Sequence, residues 1–230
     1  MKALLQDLRL FFTTIRYSLG SSKLPRRFMH KNVSYFSQWE SRGLVGEILS
    51  GSVKAEDDPK WRDSGAATKA EYAAWSWSGC GMACFKMILA HRSKISVPLV
   101  ALGKACCHYG GYDMPLERSQ GLKYAPFVKF AKNDFGITAS AKAALPIIQI
   151  ASELSRTRYV IASVHPSIRD ATSKPKTKGG HLILVLGYDL DRQLLYLHNP
   201  SGNSPTSQEY VAISFKNFEK FFSYRGIIIS

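Results

Sequence analysis

The chain has 230 residues, of which 45% are hydrophobic and 21% charged. That is the balance of a folded domain and excludes gross disorder. Lys and Arg number 31 against 17 Asp and Glu, a formal net charge of +14 that raises a polyanionic partner such as nucleic acid as the first class to test. No apolar run reaches the roughly 18 residues of a transmembrane helix.

Residues 2–19 carry Leu4, Leu5, Leu8, Phe11, Phe12 and Ile15 at three-and-four spacing, which predicts an amphipathic helix. Asp7, Arg9 and Arg16 interrupt what would be the apolar region of a secretory signal, so no signal peptide is expected. Packing on the core, a membrane surface and a docking partner all suit such a helix. A basic connector, SSKLPRRFMHK, follows, and then NVSYFSQW, a short extended segment. Residues 50–70 are rich in Gly, Ser, Asp and Lys and read as a long surface loop. A helix is predicted from near Gly79 to about His91, apolar almost all round and therefore buried. Further helices are predicted from Pro98 to before Gly110, over 124–134 with Gly136 as the stop, and from Pro146 to about Leu154. Strands follow at 159–164, 181–187, 194–197, 211–215 and 226–229, with a short helix around 216–222. Helices first and strands afterwards predict an α+β domain with an antiparallel sheet. The expected organisation is an N-terminal helix and connector over 1–30 and one domain over 31–230.

Cys80, in WSWSGCGMACFKMIL, stands at a helix start, where the positive end of the helix dipole favours a thiolate. Gly79 and Gly81 leave room for a substrate backbone. Cys84, one turn further in, reads as core. A cysteine nucleophile needs a base, and His181 in KTKGGHLILVLGYD opens a strand behind Gly179 and Gly180. Asn199, in LYLHNPSG, closes the next strand. Two antiparallel strands joined by a tight turn bring their far ends together, so His181 and Asn199 can touch, and Asn199 can orient the imidazole. No cofactor is expected: there is no phosphate-binding loop, and Cys80 with Cys84 lacks the second pair of a zinc site. Four cysteines, two of them adjacent (Cys106 and Cys107), are too few for a disulfide scaffold and suggest a reducing, cytoplasmic setting.

The segments SGCGMACFKMIL, GGHLILVLGYD and LYLHNPSG resemble, in that order, papain-like cysteine peptidases of the bacteriocin-processing (double-glycine leader peptidase-like) type, in a stand-alone form. The resemblance spans roughly residues 33–229. It implies a papain-like fold, with a helical half bearing the nucleophile and a sheet half bearing His and Asn. It also implies an upstream Gln whose side-chain amide helps hold the oxyanion, a role that falls on Gln38 in SYFSQWE. The gap from Gln38 to Cys80 exceeds that of the transporter-fused members, so the segment with Trp61 between them is an insertion. Ser78-Gly79 stands where an acidic residue often precedes the Cys, and Asn199 where Asp is common. The implied activity is peptide or amide hydrolysis through a Cys80–His181–Asn199 triad and an acyl-thioester. Acyl transfer to an amine on the same triad, or an inactive binding module, are the alternatives. Gly79, Gly81, Gly180 and Trp77 form the expected substrate-binding set.

The positive charge is uneven. Residues 86–178 hold 15 basic and 5 acidic residues, whereas 179–230 hold 4 of each. Part of the excess, RDATSKPKTKGG, leads straight into His181, which suits steering of an acidic peptide. The basic residues are scattered and no zinc-finger or RNA-binding motif accompanies them, so nucleic acid is not the expected partner.

Overall fold

The structure, a computed structural model, describes residues 2–116 and 121–230, with the side chains of 2–4 (Leu4 among them) and 21 left aside. Helix α1 (Lys2–Leu19) is followed by strand β1 (Arg27–Met29), α2 (Val45–Ser50), α3 (Lys69–Ser78), α4 (Cys80–Ser93), α5 (Leu99–Cys107), α6 (Tyr124–Phe135), β2 (Ala139–Lys142) and α7 (Ile147–Ser155). The second half runs β3 (Tyr159–Val164), β4 (His181–Asp189), β5 (Leu194–His198), α8 (Pro205–Gln208), β6 (Val211–Ser214), α9 (Phe215–Phe221) and β7 (Phe222–Ile229). This is the expected α+β arrangement. The strands form one antiparallel sheet in the order β2-β7-β3-β4-β5-β6, and β1 pairs with β4 beyond the end of β3.

Both central strands, β3 and β4, are buried at every position. A strand covered on both faces reads as a continuous apolar run rather than an alternation, which is why YVIASV and HLILVLG stand out in the sequence. Leu182, Leu184 and Leu186 of β4 point to one face and pack with Met82, Phe85 and Ile88 of α4. Ile183 and Val185 point to the other and pack with Ile150 and Leu154 of α7 and with Phe218 and Phe221 of α9. The sheet is thus sandwiched, with the Cys80 helix on one layer and α7 and α9 on the opposite layer.

Two stretches, the connector and residues 50–70, differ from their sequence reading. The connector is part of the sheet: Arg27–Met29 pairs with Met29 opposite Gly187, and Arg27 reaches Asp189 at 3.1 Å. NVSYFSQW, read as a short extended segment, pairs with no strand, and its backbone and side chains clamp the chain after β5. Residues 50–70 are not a loose loop. Ala55 and Trp61 are buried in a small core of their own with Trp39, Val45, Ile48 and Tyr72. Asp58 ties this unit down, accepting from Ser41 N–H at 3.0 Å, Ser41 Oγ at 2.5 Å, Lys60 N–H at 2.9 Å and the Tyr72 hydroxyl. Burial alone would raise its carboxyl pKa, but these donors outweigh it and hold the group below its usual range.

Candidate active site

Helices α3 and α4 meet at Gly79, which ends the first and caps the second. A Cβ there would lie 2.8 Å from Leu99 Cδ2 and 2.9 Å from the Trp75 carbonyl, so only glycine permits this close junction. At Gly81 a Cβ would meet Leu122 at 2.7 Å and Leu182 at 3.0 Å. Both glycines therefore serve the packing of the helix start, whereas the sequence suggested substrate approach. One turn on, the Cys84 thiol donates to the Leu182 carbonyl at 3.7 Å, a contact that seats α4 on β4 immediately beside His181. Cys84 is wholly buried, as its core reading requires.

Cys80 and His181 line one open cavity of about 360 Å³, together with Leu122, Tyr124, Gly180 and Arg225. The cavity lies between the start of α4 and the start of β4, with both halves of the molecule contributing. Gly179 and Gly180 enter β4 with φ of 90° and 92°, a left-handed backbone that favours glycine.

His181 is buried and held by side chains. Its Nε2 lies 2.8 Å from Asn199 Oδ1. That oxygen also accepts from the Ser201 backbone N–H at 3.1 Å, which fixes the amide orientation because a backbone N–H can only donate. Nε2 therefore carries the hydrogen, and Nδ1 is left as the nitrogen able to take a proton. Ser201 Oγ is 3.0 Å from the same Nε2 and accepts from Arg169 Nη2 at 2.8 Å; Arg169 Nε donates to the Ser201 carbonyl at 2.6 Å. The turn itself is clamped from the other side. Tyr35 Oη donates to the Asn199 carbonyl, while the Gln38 N–H and Ser37 Oγ donate to the Pro200 carbonyl, each at 2.9 Å.

Burial pushes the His181 pKa down to about 3; the bond to Asn199 opposes this and the charge of Arg169 reinforces it. Burial likewise raises the Cys80 thiol. The backbone N–H groups of Leu182, Gly81 and Cys80, with Arg169, work in the opposite direction and do not overcome it. At Cys80 the helix start expected to favour a thiolate is thus opposed by burial, and the net direction of the shift is upward. Both directions favour the uncharged forms, thiol and imidazole.

Gln38 is buried outside the cavity wall: its Nε2 donates to the Ser76 carbonyl at 2.7 Å, one turn before Cys80, and its Oε1 has no partner among the described residues. Trp77 is exposed and meets the Trp39 ring edge-on at 5.1 Å; it does not line the cavity either. The structure thus joins Cys80, His181, Asn199 and Gly180, and sets Gln38 and Trp77 at the periphery. Ser201 and Arg225 went unnoticed in the sequence, and Arg169 was read only as the start of the basic loop RDATSKPKTKGG. Ser201 had a signal, standing two residues after Asn199 in the same turn. Arg225 had none, and nothing in the sequence tied Arg169 to Ser201, because tertiary packing alone brings a 3₁₀ turn and the β7 strand to the site.

A cysteine at the start of a helix, lining one cavity with a His–Asn pair carried by an antiparallel sheet, is the construction of a papain-like cysteine peptidase. Residues 30–227 match the Peptidase_C39 like family, and the chain belongs to it. It is similar to a C39-like peptidase from Bacillus anthracis, at a TM-score of 0.54 and 14% identity over 89% of this chain and 97% of that one. The peptidase domain of Streptococcus ComA, a bifunctional ABC transporter of a quorum-sensing pathway, matches at a TM-score of 0.45 and 14% identity, over 66% of this chain and 91% of that one. No curated protein matches the chain. The fold is papain-like, and the activity of the family is that of a cysteine peptidase acting on peptide or protein substrates.

Proposed function

We propose that the chain cleaves peptide bonds with Cys80 as nucleophile, His181 as general base and Asn199 as the group that orients the imidazole. As the sulfur attacks the scissile carbonyl, its proton passes to His181 Nδ1, so charge separates only along the reaction path. The oxyanion takes hydrogen bonds from the backbone N–H groups around Cys80; Gln38, expected to share this work, would have to turn its Nε2 from the Ser76 carbonyl toward the cavity to do so. Collapse expels the amine, which takes the proton from His181, and leaves an acyl-thioester on Cys80. Water, deprotonated by His181, releases the acid and restores the thiol. Arg169 acts through Ser201 as a positioning residue.

The observation that carries this reading is the 2.8 Å bond from His181 Nε2 to Asn199 Oδ1, in an orientation that Ser201 N–H fixes. Such a bond has no packing purpose at the wall of an open cavity, and it leaves the correct nitrogen free for a thiol. Arg225 in the cavity wall and the exposed Lys174, Lys176 and Lys178 on the loop before Gly179 favour acidic peptides. The catalytic work belongs to 31–230, with 1–30 as an added helix and connector. All four cysteines are free thiols, which suits a reducing, cytoplasmic setting. The test is digestion of a peptide library read by mass spectrometry. The intact chain should cut and Cys80→Ala should cut nothing; full turnover by Cys80→Ala would overturn the assignment.

A further inference from the structure

Helix α1 is oriented the wrong way round for a helix that serves the core. Six of the nine large apolar side chains exposed among the described residues belong to it: Leu5, Leu8, Phe11, Phe12, Ile15 and Leu19, at 41–81% exposure. At about 100° per residue these six fall within an arc of roughly 120°. The half-buried positions are Leu10, Thr13, Thr14 and Tyr17, on the opposite side. That mostly polar face meets α7, with Tyr17 Oη donating to Glu153 Oε1 at 3.2 Å. The contact fixes the helix on the body; Leu5, Leu8 and Phe12 border a shallow groove against residues 141–144 yet stay 45–64% exposed, and Phe11, Ile15 and Leu19 face outward.

We propose that this stripe docks on an anionic lipid surface. An apolar arc of this size on a folded protein marks an interaction face. Its border is net positive and favours a negatively charged occupant: Arg9 and Arg16 are exposed along one flank, neither with an ion pair among the described residues, against Asp7 alone on the other. A helix with large apolar residues on one face and arginine beside them lies in the headgroup layer, apolar side down. A second copy of the chain is disfavoured, because pairing two stripes would bring two bodies of net charge +14 together. No helix among the described residues is long and apolar enough to cross a membrane, so the contact is with the surface. α1 sits on the layer of α7, across the sheet from α4, and docking leaves the Cys80 cavity open.

Co-sedimentation of the intact chain with vesicles tests this. Phosphatidylcholine vesicles containing phosphatidylserine should carry the protein down, less so as salt is raised, while phosphatidylcholine alone should bind it weakly. Phe11→Ser with Phe12→Ser should lower the affinity at least about tenfold. Arg9→Gln and Arg16→Gln should lower it about fivefold each, on anionic vesicles only. Thermal unfolding should be unchanged in all these variants, since the side chains are exposed. Iodoacetamide should alkylate Cys80 equally fast with and without vesicles. Absence of binding, equal binding to both vesicle types, or stripe-dependent dimers that ignore lipid would overturn the proposal. So would protection of Cys80 by vesicles, which would place the contact elsewhere.

Discussion

The two partners that meet in the cavity are held by different means. His181 is gripped by side chains: Asn199 and Ser201 fix its Nε2, and Arg169 grips Ser201 in turn. Cys80 is held by backbone, at a helix start that exists because Gly79 and Gly81 let α4 pack without clearance. The base can therefore be tuned one side chain at a time while the fold stays intact. The nucleophile cannot, because what positions it is the junction of two helices.

The sharpest way to break this contrast is to perturb each side once. Asn199→Ala removes the acceptor that keeps hydrogen on Nε2 and frees the imidazole to rotate or adopt the wrong tautomer. Turnover should fall about 10²–10³-fold with little change in KM, the pattern of an orienting group lost. Gly79→Ala should show up first in stability. Its Cβ would fall 2.8 Å from Leu99 and 2.9 Å from a carbonyl of Trp75, and overpacking of that kind costs about 1–3 kcal/mol. Peptidase assays beside thermal melts measure both. If Asn199→Ala lost stability and kept full turnover, the distinction between the two sides would disappear.

Arg169 reaches both partners through its charge and gives a smaller effect with a clear sign. It adds to the lowering of His181 and opposes the rise of Cys80. Taking the charge away in Arg169→Met lets the His181 pKa climb from about 3 and lets the thiol climb further. Activity needs neutral His181, so the acid limb of the pH–rate profile should move up. Alkylation needs thiolate, so its alkaline rise should also move up. Loosening of Ser201 should lower turnover near neutral pH about tenfold. A profile unmoved on both limbs would show that Arg169 acts only by packing. In the parent chain, iodoacetamide labelling should keep rising with pH through the ordinary thiol range, in line with the upward direction of the Cys80 pKa. A plateau from mildly acid pH would reveal a preformed ion pair.

The same contrast explains what was legible beforehand. The central strands were, because burial on both faces makes them continuous apolar runs, and α4 was for the same reason. The His181–Asn199 contact was, because a hairpin dictates which ends meet. Strand β1 was hidden by Pro25 and the adjacent arginines, which make a basic connector look like open chain. The unit around Asp58 was hidden because Ala55 and Trp61, its buried anchors, are isolated among polar residues. At Cys80 the helix start is written locally, whereas the burial that works against it is set by tertiary packing and has no signature in the sequence.

The weakest effect expected belongs wholly to the sheet side. The cavity wall draws its cation, Arg225, from β7, and Lys178 lies 5.1 Å from the ring centroid of Tyr224 in the same strand. Lys174, Lys176 and Lys178 are exposed, so screening by salt limits what they contribute. Reversing all three to Glu should slow cleavage of acidic peptides about threefold at low ionic strength, through kcat/KM, and hardly at all at high salt. Neutral peptides should be unaffected. The three lysines act before chemistry, by concentrating a substrate at the imidazole side of the cleft, so single-turnover rates at saturating peptide should not change. A loss of rate that survives high salt would mean instead that the loop shapes the entrance to β4 through Gly179 and Gly180.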